Sequence, residues 1–342
     1  MSEAKNLEIL DSDRRLLAKL VNFVPEKIFD IHAHLFETAF LPSLAVEGSL
    51  FNQCSPEADR GGFERRQGPL YPGLKKLRLN VVSAPDGAMA DKSNGLRERS
   101  LAFLVKHLEA HPEDVGEAFV LPDDTEEDIK GLLVHPNIKG LKCYHSTAAK
   151  KPTWHARIDE YLPESAWRIA DERGLCITLH MVRDAALADP LNNEDIREKA
   201  RKYPSARLIL AHCARGFASW TVTEGIRNMA GLPNIYYDVS AVCEPASICA
   251  VLKAADKGRV LWGSDFPVSM ARGKSISVAD GFSWLVPKDI DGHPVQEAEE
   301  TCLVGVENLH ALKLACEILD LGRRDVEDIF YNNAMQLFGL AD

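Results

Sequence analysis

The sequence predicts an α/β protein folded as a (β/α)8 TIM barrel, and three observations carry that prediction. Eight short apolar, β-rich runs recur along the 342 residues. Amphipathic helical patterns separate most of these runs, and strands alternating with helices build βα units around a parallel sheet. No GxGxxG follows an early run, which weakens the competing architecture, an open dinucleotide-binding sheet. Single barrels commonly exceed about 200 residues, so residues 1–342 are expected to form one domain.

A helical pattern over roughly 8–22 comes first, followed by the runs KIFDIHAH (27–34) and LRLNVVSA (77–84). RERSLAFLVKHLEAH (97–111) has helical spacing and leads into EAFVLP (117–122). TEEDIKGLLVH (125–135) leads into IKGLKCYH (138–145). LPESAWRIADERG (162–174) ends on Gly174, a common helix stop, and leads into LCITLH (175–180). NNEDIREKARKYP (192–204) precedes ARLILAH (206–212), and NIYYDVS (234–240) is the seventh run. ASICAVLKAAD (246–256) precedes the eighth, RVLWGSD (259–265). Helical patterns at roughly 297–318 and 324–338 follow, so the barrel strands are expected within about 27–265.

Three connections are long: 35–76, 85–96 and 266–296. Each follows the C-terminal end of a predicted strand, the end where barrel enzymes keep their sites. Long connections in a compact fold are usually functional or disordered, and these are read as walls or a lid.

Hydrophobic residues make up 46% of the chain and charged residues 27%, as expected for a globular protein with a core. The net charge of -11 repels phosphate backbones, which argues against nucleic acid as a partner and leaves a small molecule. The opening MSEAKNLEILDSDRR lacks the apolar stretch of a signal peptide, and no run of about 18 apolar residues occurs. The eight cysteines, Cys54, Cys143, Cys176, Cys213, Cys243, Cys249, Cys302 and Cys316, form no CxxC pair. Free thiols in a reducing, cytoplasmic setting are the expectation, with no membrane association.

The chemistry starts at FDIHAHLFE, residues 29–37. Side chains alternate along a strand, so His32 and His34 should share one face, with Asp30 one step lower on it. Three other runs end on a lone polar residue: His180 in LCITLH, His212 in ARLILAH and Asp265 in RVLWGSD. Strand ends converge at the top of a barrel. Burying so many titratable groups without partners would be costly, and a divalent cation resolves that cost. Imidazole and carboxylate ligands suit zinc.

DIHAH (30–34), LH (179–180), AH (211–212), GSDFP (263–267) and DIFYNNAMQLFGL (328–340) together resemble the amidohydrolase superfamily. The closest branch is the aminocarboxymuconate-semialdehyde-decarboxylase-like group, amidohydrolase 2, and the motifs occur in its order across nearly the whole chain. The resemblance implies a distorted (β/α)8 barrel holding one divalent metal, usually zinc. It implies His32, His34, His180 and Asp265 as metal ligands and His212 as the catalytic histidine beside them. A bound divalent metal lowers the pKa of water from about 15.7 toward ~7. Asp265 would accept the proton of that water, and His212 would polarise the substrate carbonyl or stabilise the oxyanion. Homodimers are common in the branch, and the resemblance extends that expectation here.

Other residues have weaker claims. Lys142 closes the fourth run; in binuclear relatives a carboxylated lysine from that strand bridges two metals. A substrate-anion contact and a structural ion pair are its alternatives. Tyr144 and His145 would line the pocket or lie in a solvated loop. Arg183 and Arg215 each lie three residues past a site histidine and offer planar forks for a substrate carboxylate, with surface ion pairing as the alternative. Asp238 and Ser240 on the seventh run could support the ligands from behind. Trp262 should pack against the helix layer, and Cys213 should point away from the site as an inert core thiol.

The expected activity is metal-dependent hydrolysis of a C–O or C–N bond, a lactone or amide, in a small carboxylated molecule. The competing activity is non-oxidative decarboxylation of an unsaturated or aromatic acid, which the same branch contains. The intact histidine pair tilts the expectation toward hydrolysis. A barrel used only for binding would have no need of all five site residues.

Overall fold

The structure is a computed structural model that describes residues 9–45, 58–286 and 301–341. Eight parallel strands follow one another in sequence order: β1 (Lys27–Ala33), β2 (Lys76–Val82), β3 (Val115–Phe119), β4 (Ile138–Cys143), β5 (Cys176–Leu179), β6 (Arg207–Leu210), β7 (Ile235–Asp238) and β8 (Val260–Leu261). Each predicted run overlaps one of them, and the chain forms a (β/α)8 barrel. Three backbone bonds join β1 to the segment after β8: Ile31 N to Trp262 O at 3.1 Å, Asp265 N to His32 O at 2.7 Å and His34 N to Phe266 O at 2.7 Å. The eighth strand is shorter than its run. Trp262 N leaves the ladder and donates to Ile329 O at 2.9 Å.

Two apolar clusters show which strand faces point where. Phe29 and Ile31 of β1, Val115 of β3, Cys176 of β5, Ile209 of β6 and Leu261 of β8 meet in one cluster with Tyr331, Ala334, Met335, Leu337 and Phe338. Side chains from five barrel strands can meet only inside, so the C-terminal helical segment plugs the barrel floor. The larger cluster lies between the sheet and the surrounding helices.

This assignment corrects the expected place of Asp30. The register slips between Asp30 and Ala33, so simple alternation fails there. Ile31 and His32 both turn inward. The Asp30 carboxylate instead accepts the amides of His32 at 3.2 Å and Ser264 at 2.9 Å and the Tyr71 hydroxyl at 3.4 Å. Trp262 packs as expected: it stacks on Phe330 at 4.8 Å and donates Nε1 to Tyr71 Oη at 3.1 Å.

The predicted helices appear with shifted ends, for example Leu96–Ala110, Pro190–Lys202 and Val304–Ile318. Glu164–Arg173 stops at Gly174 with φ 62°, the left-handed cap its sequence suggests. The helix expected at 324–338 is divided into Arg323–Glu327, a wider π turn at Asp328–Asn332, and Asn333–Phe338.

Within the long connections, 58–76 holds a helix that periodicity did not signal, Arg60–Gln67. RGGFERRQ has two glycines and one large apolar side chain, so it carries no helical stripe. The Asp59 carboxylate caps it at Gly62 N, 2.7 Å away, and Phe63 packs edge-on against Phe266 at 5.1 Å. The connection after β8 forms an antiparallel hairpin, β9 (Lys274–Val278) and β10 (Gly281–Leu285). Among the described residues the cysteines are free, whereas Cys54 lies outside them. No described helix is long and apolar enough to cross a membrane.

Gly263 sits where the seam is tightest. A Cβ there would lie 2.8 Å from His32 Cβ and 3.2 Å from His32 N. Gly263→Ala is expected to destabilise the fold by ~1–3 kcal/mol through forced backbone shifts. Denaturant midpoints measure this, and an unchanged midpoint would show that the seam has room to give.

Candidate metal centre

His32 and His34 leave the top of β1, and Asp265 reaches them across the seam. Asp265 has φ 57°, a left-handed conformation that aspartate tolerates better than most residues. His32 Nε2 and His34 Nε2 lie 3.2 Å apart. Asp265 Oδ1 is 3.7 Å from the first and 3.5 Å from the second.

The partners on the far side of each ring fix what these atoms are. His32 Nδ1 faces Asp238 Oδ2 at 2.9 Å, and His34 Nδ1 faces the Val82 carbonyl at 2.9 Å. Both partners only accept, so each ring holds its proton on Nδ1 and turns a bare lone pair inward on Nε2. Two imidazole lone pairs and a carboxylate oxygen therefore converge with no donor between them. That arrangement is repulsive by itself and attractive around a cation, so this donor set fits a divalent metal. Burial pushes His32 down to about 4 against the pull of Asp238, which leaves it a neutral imidazole at physiological pH.

Asp238, at the end of β7, organises the cluster. Its Oδ1 accepts the amides of His212 and Ser240, both at 3.0 Å, and the Ser240 hydroxyl, while Oδ2 holds His32. Burial alone would raise this carboxyl, but His32 and then His212 hold it well below the usual carboxylate range. The expected supporting role of Asp238 and Ser240 matches this geometry.

His212 does not end a strand. β6 stops at Leu210, and His212, Cys213, Ala214 and Arg215 have φ of 57°, 50°, 59° and 58°. This is a left-handed turn with no glycine, a conformation costing roughly 1–2 kcal/mol per residue. His212 N on Asp238 and His212 Nδ1 on Ser240 O, 3.1 Å away, hold it in place. Strain kept by such contacts is typical of functional positions. The His212 ring stacks on His32 at 5.1 Å and on Phe217 at 5.3 Å. Cys213 is fully buried, and burial pushes its thiol well up, which keeps it inert.

His180 follows β5 and packs edge-on against His212 at 5.0 Å. The donor atoms of His32, His34 and Asp265 all lie within 4.8 Å of one another, as do those of His32, His212 and Asp238. His180 belongs to neither group. Burial, then the charges of His212, Lys142 and Arg215, hold its pKa well below the ordinary value, so it is a neutral donor beside them.

The remaining candidates divide between pocket and scaffold. Lys142 is 1% exposed, burial lowers its pKa, and no carboxylate among the described residues lies within ion-pair distance. Tyr144 and His145 line the site: Tyr144 packs on His180 at 4.8 Å and on His145 at 4.6 Å. Arg183 is committed to Asp189 at 2.9 Å and to His155 O at 2.8 Å, the ion-pairing alternative. Arg215 has no carboxylate partner among the described residues. It donates to Arg183 O at 2.8 Å and lies over the rings of Trp154 at 5.3 Å and Phe282 at 5.4 Å.

Two features were not foreseen: the aromatic residues of the connection 266–296, whose length alone had marked it as a wall or lid, and a glutamate beneath the site. The β9–β10 hairpin brings Phe282 and Trp284 onto Phe217 at 5.0 and 5.5 Å, making an aromatic wall beside His212. Loop aromatics carry no periodic signal. Beneath the site, Glu117 Oε1 accepts Asn80 Nδ2 at 2.7 Å and Thr178 Oγ1 at 2.9 Å, while its Oε2 has no partner. A lone glutamate opening the apolar run EAFVLP was the available signal. Burial pushes the Glu117 carboxyl up to about 7, against those hydrogen bonds and Lys142.

A family model described as amidohydrolase matches residues 29–340. No curated protein matches. Among solved structures, an amidohydrolase from Burkholderia multivorans with bound zinc has a TM-score of 0.61 at 12% identity, covering 92% of this chain and 100% of that one. A putative 2-pyrone-4,6-dicarboxylic acid hydrolase from Pseudomonas putida has 0.55 at 15%, covering 92% and 98%. A 2,6-dihydroxybenzoate decarboxylase from Rhizobium has 0.57 at 13%, covering 92% and 99%. At these identities the likeness is one of fold.

Asp238→Asn should weaken metal affinity by ~10–100-fold, read by chelator competition, because the ring of His32 loses its orienting acceptor. Affinity equal to wild type would remove Asp238 from this role. Glu117 gives a pH signature. Folded Glu117 keeps a proton between 4.5 and about 7 that the unfolded chain releases, so its contribution to stability declines as pH rises through that window. Glu117→Gln lacks this decline, and its Tm relative to wild type should climb from pH 5 to pH 8. Parallel Tm curves would contradict the raised carboxyl.

Proposed function

Because the chain belongs to the amidohydrolase family, of which metal-dependent hydrolases and decarboxylases are the kinds, we propose that it hydrolyses a lactone or amide bond in a small carboxylated molecule. The observation that carries this reading is the convergence of His32 Nε2, His34 Nε2 and Asp265 Oδ1 with no donor among them.

His32, His34 and Asp265 hold the metal in this reading, with His180 completing the set, and zinc is the metal we assign. When bound, the metal supplies Lewis acidity for the substrate carbonyl and for water. Burial would raise the Asp265 carboxyl, but the histidines, His212 first, hold it below its ordinary range. It is therefore ionised and able to take a proton from the attacking water and return it to the leaving group. His212 keeps one proton on Nδ1 toward Ser240 O, so Nε2 accepts a proton when the ring is neutral and donates to an oxyanion when it is charged. The Asp238 carboxylate, which accepts the His212 amide, holds this residue in its left-handed turn. Arg215, lacking an acidic partner, receives the substrate carboxylate, and Lys142 offers a second cation at the pocket floor. The aromatic wall excludes water from the reacting bond.

The aromatic wall and the Arg215 fork also favour a second reading, decarboxylation of a flat unsaturated acid. Metal-replete protein assayed against lactones and against aromatic acids separates the two. Acid release without trapped carbon dioxide is expected; stoichiometric carbon dioxide would replace hydrolysis by decarboxylation. Asp265→Asn should lower kcat by ~10²-fold or more, in the range of general acid–base effects. Arg215→Ala should raise KM for carboxylated substrates with little change in kcat. Full activity after metal removal would overturn the proposal.

A further inference from the structure

The opposite end of the barrel carries a second polar concavity. A cavity of about 370 Å³ opens there, lined by His135, Lys139, Arg173 and Arg207, with Leu175 and Phe338 on its apolar side. Lys139 is the second residue of β4, Arg207 is the first of β6, and Leu175 precedes β5. These are the N-terminal strand ends, whereas the candidate metal centre lies at the C-terminal ends. No carboxylate lines the cavity, although the chain as a whole carries a charge of -11.

The basic groups there are not used up by neighbours. Nearby surface cations find acids: Lys199 and Lys202 bind Glu164, and Arg168 binds Glu126 at 3.3 Å. Lys139, Arg173 and Arg207 have no acidic partner among the described residues. Arg207 gives Nη1 to the Leu337 carbonyl, which anchors its guanidinium. Its Nη2 lies 3.5 Å from the position a Cβ at Gly174 would take, and the left-handed glycine leaves that approach open. His135 Nδ1 accepts Asn137 N at 3.1 Å, so its remaining proton sits on Nε2 as a donor.

We propose that this cavity at the barrel floor binds a small organic phosphate. Two guanidinium groups, an ammonium and an imidazole N–H reach it from β4, β6, the loop before β4 and the C-terminal end of the helix Glu164–Arg173. Donors approaching from several elements suit a tetrahedral oxyanion, which accepts in more directions than a planar carboxylate. The volume lies within the range of small-molecule sites, about 300–1,000 Å³. Leu175 and Phe338 provide a surface for the organic part. The site is independent of the hydrolase reading, because none of its residues belongs to the metal cluster.

Calorimetric titration of the metal-replete protein with phenyl phosphate tests the proposal, with benzoate as the carboxylate counterpart. One saturable site per chain is expected, tighter for phenyl phosphate than for benzoate and weakened by added salt. The Lys139→Gln/Arg173→Gln double variant keeps Arg207 and its bond to Leu337, and should bind about tenfold more weakly or worse, with Tm unchanged. Arg14→Gln, a surface arginine paired with Asp11 and outside both sites, should bind as wild type does. No saturable binding, equal binding by the double variant, or benzoate binding as tightly as phenyl phosphate would each overturn the assignment.

Discussion

The seam between β1 and residues 262–266 is the contact on which the site depends. Asp265 N on His32 O and His34 N on Phe266 O, both 2.7 Å, tie the first strand to the segment after the last. They close the barrel and bring donors more than 200 residues apart in sequence into one cluster. Gly263 makes the approach possible, since any side chain there would meet His32. The π turn at Asp328–Asn332 contributes from below, because Ile329 O takes the Trp262 amide and draws the segment out of the ladder. The seam therefore sets the depth and orientation of Asp265.

Around that seam the polar groups are arranged so that each imidazole is held from behind. Asp238, Val82 O and Ser240 O occupy the Nδ1 atoms of His32, His34 and His212. Fixing those protons leaves Nε2 of His32 and Nε2 of His34 facing each other at 3.2 Å, which a cation or a shared proton makes favourable. Asp238 links His32 to His212, accepting from the His32 ring and from the His212 amide at once. The strained turn at 212–215 costs conformational energy, and these same contacts offset it.

The barrel also separates tasks along its axis. The upper end carries the candidate metal centre, the Arg215 guanidinium near two rings, and the aromatic residues of the β9–β10 hairpin. The middle holds Glu117, Asn80 and Thr178, a polar layer whose carboxyl is pushed toward neutrality by burial. Below it the C-terminal helical segment seals the floor with apolar side chains. The candidate site at the top thus rests on a polar layer and, below that, an apolar one.

The architecture was legible in the sequence because a strand's apolar run and a helix's stripe are local properties. All eight runs became strands, and the polar residues closing or following them, His32, His34, His180, His212 and Asp265, gather at one end because parallel strands share a direction. Period-two alternation was not enough at β1 or after β6. The register slip moved Asp30 off the histidine face, and a left-handed turn replaced the end of the sixth strand. Both are fixed by hydrogen bonds to distant partners, Ser264 and Asp238, which no local pattern encodes. The same holds for Arg183 and Arg215, alike in sequence context: Asp189 pairs with Arg183, whereas Arg215 lies over the rings of Trp154 and Phe282 with no ion pair among the described residues. Sequence alone determined the barrel and the kinds of donor at its mouth. Tertiary structure decided which lone pairs face inward, which arginine lacks an ion pair among the described residues and which loops pack beside the site, because those depend on contacts between residues far apart along the chain.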